Sequence, residues 1–342
     1  MRITEIRAVQ PVAPQAPPDW RTSMGQILVA VDTDVGLRGY GVGGGGAAGV
    51  HVVRTVLRDL LLGADPEPIE TIWQRMYKAT LPFGRKGLAI MALSGLDLAL
   101  WDLRGKAAQL PLAEVLGGTV GTPIPAYATI VGEPEKIIAQ GYQAVKIHFM
   151  NFKTPPTLAQ VVDFAGQIRD KIGPQRRLML DAFMTWDVPT TLNMEQALRP
   201  FELDWIEEPL LPDDWAGYAQ LTDKCQIPIA GGEHEYTSAA FLELIERKLH
   251  QVLQPDVCWC GGLTELVKIY RAAQAAGVRV CPHRGSEPWS LHAIAALDSH
   301  PLAESPRPWM HWVQNAPQII NGFVTLGDSA GFGIEIDEGL LP

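Results

Sequence analysis

The sequence predicts an α/β protein: a (β/α)8-type barrel of the modified TIM kind, with an N-terminal α+β capping domain that the C-terminal segment completes. Three observations lead there. From about Ile124 short apolar runs alternate with amphipathic helical stretches, the pattern of parallel strands joined by helical crossovers. The runs number eight: Ile124–Ile130, Ala144–His148, Leu178–Asp181, Leu203–Glu207, Ile227–Ala230, Gln251–Gln254, Val278–Pro282 and Pro301–Glu304. Polar residues gather at the C-terminal ends of these runs, which favours a closed barrel over its rival, an open doubly wound sheet.

The elements follow in order. Ile3–Val12 and Gln26–Asp32 read as strands, and Thr33-Asp34-Val35-Gly36 as a hairpin connection. Helical patterns cover Val50–Leu62, Pro68–Ala79 and Arg85–Ala108, the last rich in Leu and Ala. Within the barrel the intervening helices are read at Thr157–Ile172, Asn193–Leu198, Trp215–Thr222, Ser238–Lys248, Thr264–Ala276 and Ser290–Leu297. Gln318–Pro342, with Ala330-Gly331-Phe332-Gly333 as a turn, is expected to pack back on the first domain. The predicted boundaries are therefore 1–118 for the cap, 119–317 for the barrel and 318–342 for the returning segment.

Composition narrows the function. The 342 residues are 47% hydrophobic and 19% charged, as in a folded globular chain. A net charge of −10 without a Lys/Arg run argues against nucleic acid as a partner. The longest apolar stretch, Leu88–Leu103, carries Asp97 and Asp102, so it reads as a buried helix and no membrane association is expected. MRITEIRAVQ reads as a strand and not as a leader, and four cysteines form no disulfide or zinc pattern; a cytoplasmic location is expected. Gly39-Tyr40-Gly41-Val42-Gly43-Gly44 formally fits a dinucleotide-binding fingerprint, but the preceding strand belongs to a hairpin and not to a βαβ unit. The plainer reading is a mobile glycine loop able to act as a lid. Trp259 and Trp289 read as packing residues near the rim, Trp289 on a loop within reach of a ligand.

The chemistry sits at the strand ends. Asp181, Glu207 and Glu233 follow successive apolar runs at intervals of 26 residues, one βα unit each. Three carboxylates on one rim repel one another unless a cation joins them, and a hard divalent ion such as Mg2+ suits oxygen donors with room left for water and substrate. Asp256 and His283, 27 residues apart, again end neighbouring strands. An Asp beside a His orients the imidazole and raises its basicity, the arrangement of a general base. Lys146 and His148 project to one face: either is a second base, or Lys146 neutralises a substrate carboxylate. Glu304 is a candidate to hydrogen-bond an oxyanion, a role that requires it to be protonated by virtue of the nearby acids. Arg21 and His234 are candidate substrate contacts.

These residues, in Trp-Ile-Glu-Glu-Pro around Glu207, Gly-Gly-Glu-His around Glu233, and Gln254-Pro255-Asp256-Val257-Cys258-Trp259-Cys260-Gly261-Gly262-Leu263-Thr264, resemble the mandelate-racemase-like branch of the enolase superfamily, most of all L-rhamnonate dehydratases and related acid-sugar dehydratases. The likeness runs from Gly84-Arg85-Lys86-Gly87 through Leu96–Leu103 to Gly331-Phe332-Gly333. It implies Mg2+ on Asp181, Glu207 and Glu233, His283 as base with Asp256 as partner, Glu304 stabilising the intermediate, and a homo-oligomer. It implies dehydration of a sugar acid to a 2-keto-3-deoxy acid. The chain departs from the rhamnonate pattern in three places: no His precedes His51, Arg284 follows the base where a small residue is usual, and His148 gives Lys-X-His. A racemase or epimerase on the same scaffold, and a non-catalytic sugar-acid binder, are the alternative readings.

Overall fold

The structure, a computed structural model, describes residues 1–12, 19–132, 134–149 and 156–341. Three antiparallel strands open the chain: β1 (Ile3–Val9), β2 (Ile27–Thr33) and β3 (Arg38–Gly43). The predicted hairpin joins β2 to β3, where Thr33 N–H donates to the Leu37 carbonyl at 3.0 Å and Gly36 takes a φ of 79°. The expected helix at 50–62 begins earlier and is broken by a π-helical turn, running Gly46–Val52, Val53–Leu57 and Arg58–Leu61.

The glycine-rich segment is neither a lid nor a nucleotide loop. Gly39, Gly41 and Gly43 lie on β3, where a Cβ would come within 2.1, 2.1 and 2.3 Å of carbonyl oxygens of the helix Leu88–Ala108. The glycines are there so that this helix can lie directly on the sheet. The helix is apolar almost all round because its other side meets the barrel. Its two buried acids face partners across these interfaces. Asp97 accepts from Thr264 N–H (2.9 Å) and Oγ1 (2.6 Å) at the barrel, and Asp102 accepts from Tyr40 N–H (2.9 Å) and Phe332 N–H (3.0 Å). Among the described residues no helix is long and apolar enough to cross a membrane.

Eight parallel strands follow: β4 (Ile124–Ile130), β5 (Ala144–His148), β6 (Arg177–Asp181), β7 (Leu203–Glu207), β8 (Ile229–Gly231), β9 (Val252–Leu253), β10 (Arg279–Val280) and β11 (Ala303–Glu304). Ladders run in sequence from β4 to β10, and β11 pairs with β4. Ser286 N–H donates to the Glu304 carbonyl at 2.9 Å, and Cys281 Sγ lies 3.5 Å from the Leu302 carbonyl, bringing the β10 and β11 ends together. Tyr127, Ala144, Met179, Trp205, Ala230, Val252, Cys281 and Leu302, one from each strand or its margin, form a single buried cluster. An open sheet has no inside that could collect one residue from every strand, so the barrel is closed.

Between strands the crossover helices agree with the sequence reading in place and type. Leu158–Ile172 is opened by a Thr157/Gln160 capping box, and Val188–Leu198 starts five residues before the expected Asn193. A short helix, Pro134–Ala139, has no counterpart in the sequence reading. Trp289 sits on the helix Pro288–Leu297, fully buried against Phe332, and does not reach the barrel mouth. The last segment returns along the molecule. Phe323–Val324 pairs with the start of β4, Gly331 accepts from Leu112 N–H, and Glu338 forms an ion pair with Arg38 at 2.7 Å.

Candidate active site

Side chains alternate along a strand, so residues two positions beyond the apolar layer share its inward face. Above Tyr127 comes Thr129; above Ala144, Lys146 and then His148; above Met179, Asp181; above Trp205, Glu207. Gln254 and Asp256 continue from Val252, His283 from Cys281, and Glu304 from Leu302. Every strand-end candidate except Glu233 follows this parity. β8 departs from it: Gly232, at a φ of 123°, redirects the chain and brings Glu233 to the rim.

A cavity of about 420 Å3 opens at this end, lined by Lys146, His148, Asp181, Glu233, His234, His283 and Glu304 from the barrel and by Trp20, Arg21 and Met91 from the first domain. Arg21 lies over the Trp309 ring and spends its guanidinium on Asp19. Trp259, expected as packing, is part of the wall.

His283 and Asp256 meet as expected. Imidazole Nδ1 is 2.8 Å from Asp256 Oδ2, leaving Nε2 toward the cavity, 3.2 Å from Glu233 Oε2. Burial disfavours the imidazolium, but Glu233, Asp256 and Glu304 outweigh it and raise the pKa of His283. Asp256 also accepts from Cys258 N–H (2.8 Å) and from the buried guanidinium of Arg307, which in turn pairs with Glu287. Burial would raise the Asp256 carboxyl; Arg307 and His283 hold it below the usual range.

Lys146 Nζ is 2.6 Å from Glu207 Oε1, 3.1 Å from Glu304 Oε1 and 3.9 Å from Asp181 Oδ2. Burial opposes its charge, yet these acids raise its pKa well above the ordinary lysine value. Lys146 is therefore a fixed cation and not a proton acceptor. His148, 3.5 Å from Asp181, is pushed down to about 4 by burial and by Lys146.

Two expectations change. Glu304 is not a protonated acid: burial would raise it, but Lys146 and Arg284 hold it well below the carboxylate range, while Thr129 Oγ1 and Arg284 N–H donate to it. The nearby acids are outweighed by cations and donors. Nor do the three predicted ligands form the tight oxygen cluster expected of them. Glu207 is 2% exposed and turned into the barrel, where Lys146, Trp205 Nε1 (3.0 Å) and Gln254 Nε2 (2.6 Å) take up its oxygens. Among the described residues, the group whose possible ligand atoms lie within 4.8 Å of one another is Glu208, Glu233 and His234. His234 Nδ1 is 2.8 Å from Glu208 Oε2, and although burial opposes the charge, Glu208 raises His234 to about 9.

Glu208 was missed because strand parity points it outward; a φ of 38° turns it back to the rim. Arg307 was missed because nothing in Ser-Pro-Arg-Pro distinguishes it from a surface arginine.

The donors at this rim are carboxylates and imidazoles, with Asp181 raised well above the ordinary range by burial and then by Glu207. Such uncompensated negative charge over oxygen donors fits a hard divalent cation.

Residues 3–117 match the mandelate racemase/muconate lactonizing enzyme N-terminal domain, and residues 130–340 match the enolase C-terminal domain-like family. An L-rhamnonate dehydratase from Saccharopolyspora erythraea is 34% identical over 328 residues, 92% of this chain and 84% of that one. A racemase from Streptomyces coelicolor with bound magnesium superposes with a TM-score of 0.90 at 30% identity, covering 99% and 98% of the two chains. An L-talarate dehydratase from Polaromonas complexed with Mg and L-glucarate gives 0.88 at 28%, covering 99% and 96%. With a capped, closed barrel and an Asp–His pair beside clustered carboxylates, the chain belongs to the mandelate racemase/muconate lactonizing enzyme family of the enolase superfamily.

Proposed function

We propose that this protein dehydrates a sugar acid to a 2-keto-3-deoxy acid by removing the proton on the carbon next to the carboxylate, with Mg2+ as cofactor. The observation that carries the reading is the Asp256–His283 pair, whose free Nε2 opens on the same cavity as Asp181, Glu233 and Lys146. Relatives of this chain with dehydratase names support it.

Asp181 and Glu233, with Glu207 as expected from the sequence or Glu208 as its neighbour, would hold the ion. When bound, it would offset the carboxylates that raise His283 and stabilise negative charge developing on the substrate carboxylate. His283 takes the proton at Nε2, while Asp256 keeps the Nδ1–H tautomer and balances the imidazolium. The same imidazolium then gives its proton to the departing 3-hydroxyl. Lys146 supplies a second fixed positive charge beneath the substrate carboxylate. Glu304, ionised, holds Lys146 and the backbone at Arg284 in place.

Incubating the purified protein with Mg2+ and a library of sugar acids, with detection of 2-keto-3-deoxy acids, tests the proposal. Product from at least one acid is expected; no keto product from any would overturn it. Racemisation is the second reading, favoured by His148. It reaches the same cavity from β5, which only β4 and β11 separate from β10 on the shorter way round, and stays neutral down to about pH 4. In deuterium oxide, an epimerase returns a 2-hydroxy acid labelled at carbon 2, whereas a dehydratase releases a keto acid.

A further inference from the structure

Four permanent cations line the cavity: Arg21, Lys146, Arg284 and Arg307. Three are committed. Lys146 lies among Glu207, Glu304 and Asp181, Arg307 bridges Asp256 and Glu287, and Arg21 is held by Asp19. Arg284 differs. Among the described residues its guanidinium makes no ion pair; Nη1 reaches only the Ser305 carbonyl at 3.3 Å, and Nε is buried without a partner. Its neighbour Glu304 bonds the backbone N–H of Arg284 and spends its other oxygen on Thr129 and Lys146.

The backbone sharpens the point. Arg284 sits at a φ of 55°, a conformation that costs a long L side chain about 1 kcal/mol and that glycine would adopt freely. The bond from its N–H to Glu304 explains the backbone and would survive with glycine. It does not explain a guanidinium. Strain tolerated at a cavity wall points to use of the side chain there.

Arg284 and Arg21 meet the same stretch of chain, Arg284 at Ser305 and Arg21 over Trp309, with Gln26 bonded to the Trp309 indole. The uncommitted guanidinium therefore belongs to the wall where the barrel rim meets the first-domain loop, while Lys146 and the carboxylates lie around the reacting end. A planar guanidinium with free N–H groups is matched by a carboxylate, which it can bind through two parallel hydrogen bonds.

We propose that Arg284 is a specificity-determining residue that binds a second carboxylate at the far end of the substrate, so that the preferred substrates are sugar diacids of the hexaric type and not sugar monoacids. This rests on the dehydration reading above and adds the substrate class. The test uses paired acids of equal length that differ only at carbon 6: gluconate and glucarate, galactonate and galactarate, mannonate and mannarate. Turnover is measured with Mg2+, and binding by titration calorimetry on the same enzyme. In the best pair the diacid is expected to bind at least tenfold more tightly and to have the higher kcat/KM. Arg284→Met is expected to abolish that preference chiefly through KM, and Arg284→Lys to restore part of it, with thermal midpoints close to that of the parent protein. A monoacid preferred in the best pair, or a diacid preference that survives in Arg284→Met, overturns the proposal while leaving dehydration standing. Tight diacid binding lost in Arg284→Met, without keto product from any acid, upholds the subsite and overturns dehydration. No binding of any of the six acids overturns the subsite.

Discussion

Two layers of the same barrel, two residues apart along the same strands, have opposite characters. The lower layer is apolar, with Met179, Trp205, Cys281 and Leu302 among its members. The upper one holds Asp181, Glu207, His283 and Glu304, all buried or nearly so, around one lysine. Strand alternation delivers both to the same interior, so position along the strand, and not orientation, separates stability from chemistry. Burial is what gives the upper layer its chemistry: it turns modest charge separations into large shifts of proton affinity.

The largest effect should come from the upper layer with no structural cost. His283→Asn keeps a polar group toward Asp256 but cannot accept the proton, so dehydration should fall about 10³-fold, with Mg2+ binding and the thermal midpoint retained. Retained turnover would move the base elsewhere. Lys146→Met is expected to lower stability by about 3–5 kcal/mol in urea unfolding, because Glu207 and Glu304 lose their shared buried cation. Added Mg2+ should recover part of that loss; an equal loss with and without Mg2+ would place the ion away from these acids. One layer down, Met179→Ala should cost about 2–4 kcal/mol through its cavity yet leave kcat per folded molecule nearly unchanged. A large fall in kcat there would erase the distinction between the layers.

The smallest effect lies outside both. His292 accepts Ala113 N–H at Nδ1 and lies 3.3 Å from the Phe332 carbonyl at Nε2, and burial depresses it to about 4. Its folded pKa is below its unfolded one, so its contribution is present above about pH 6.5 and is lost as pH falls toward 4. The expected loss is on the order of 2 kcal/mol. His292→Gln, which can both accept and donate, should flatten that acid limb; an unchanged limb would assign it to other groups.

Much of the architecture and most of the site could be read from the sequence, for one reason: the period-2 alternation and the 26-residue spacing of Asp181, Glu207 and Glu233 are chain-local facts. What could not be read depends on groups distant in sequence. Glu304 looked like an acid among acids, and only the fold shows Lys146, 158 positions earlier, against it. Gly39, Gly41 and Gly43 matched a nucleotide fingerprint because a glycine's purpose is set by whatever lies opposite, here a helix. Glu208 depended on a single backbone angle.

The ion pair between Arg38 and Glu338 and the bond from Phe332 to Asp102 join the first sheet and its covering helix to residues made some 230 to 300 positions later. On the ribosome, β3 and that helix must wait for nearly the whole polypeptide before these contacts can form, so the N-terminal part cannot mature ahead of the barrel as vectorial folding would ordinarily allow.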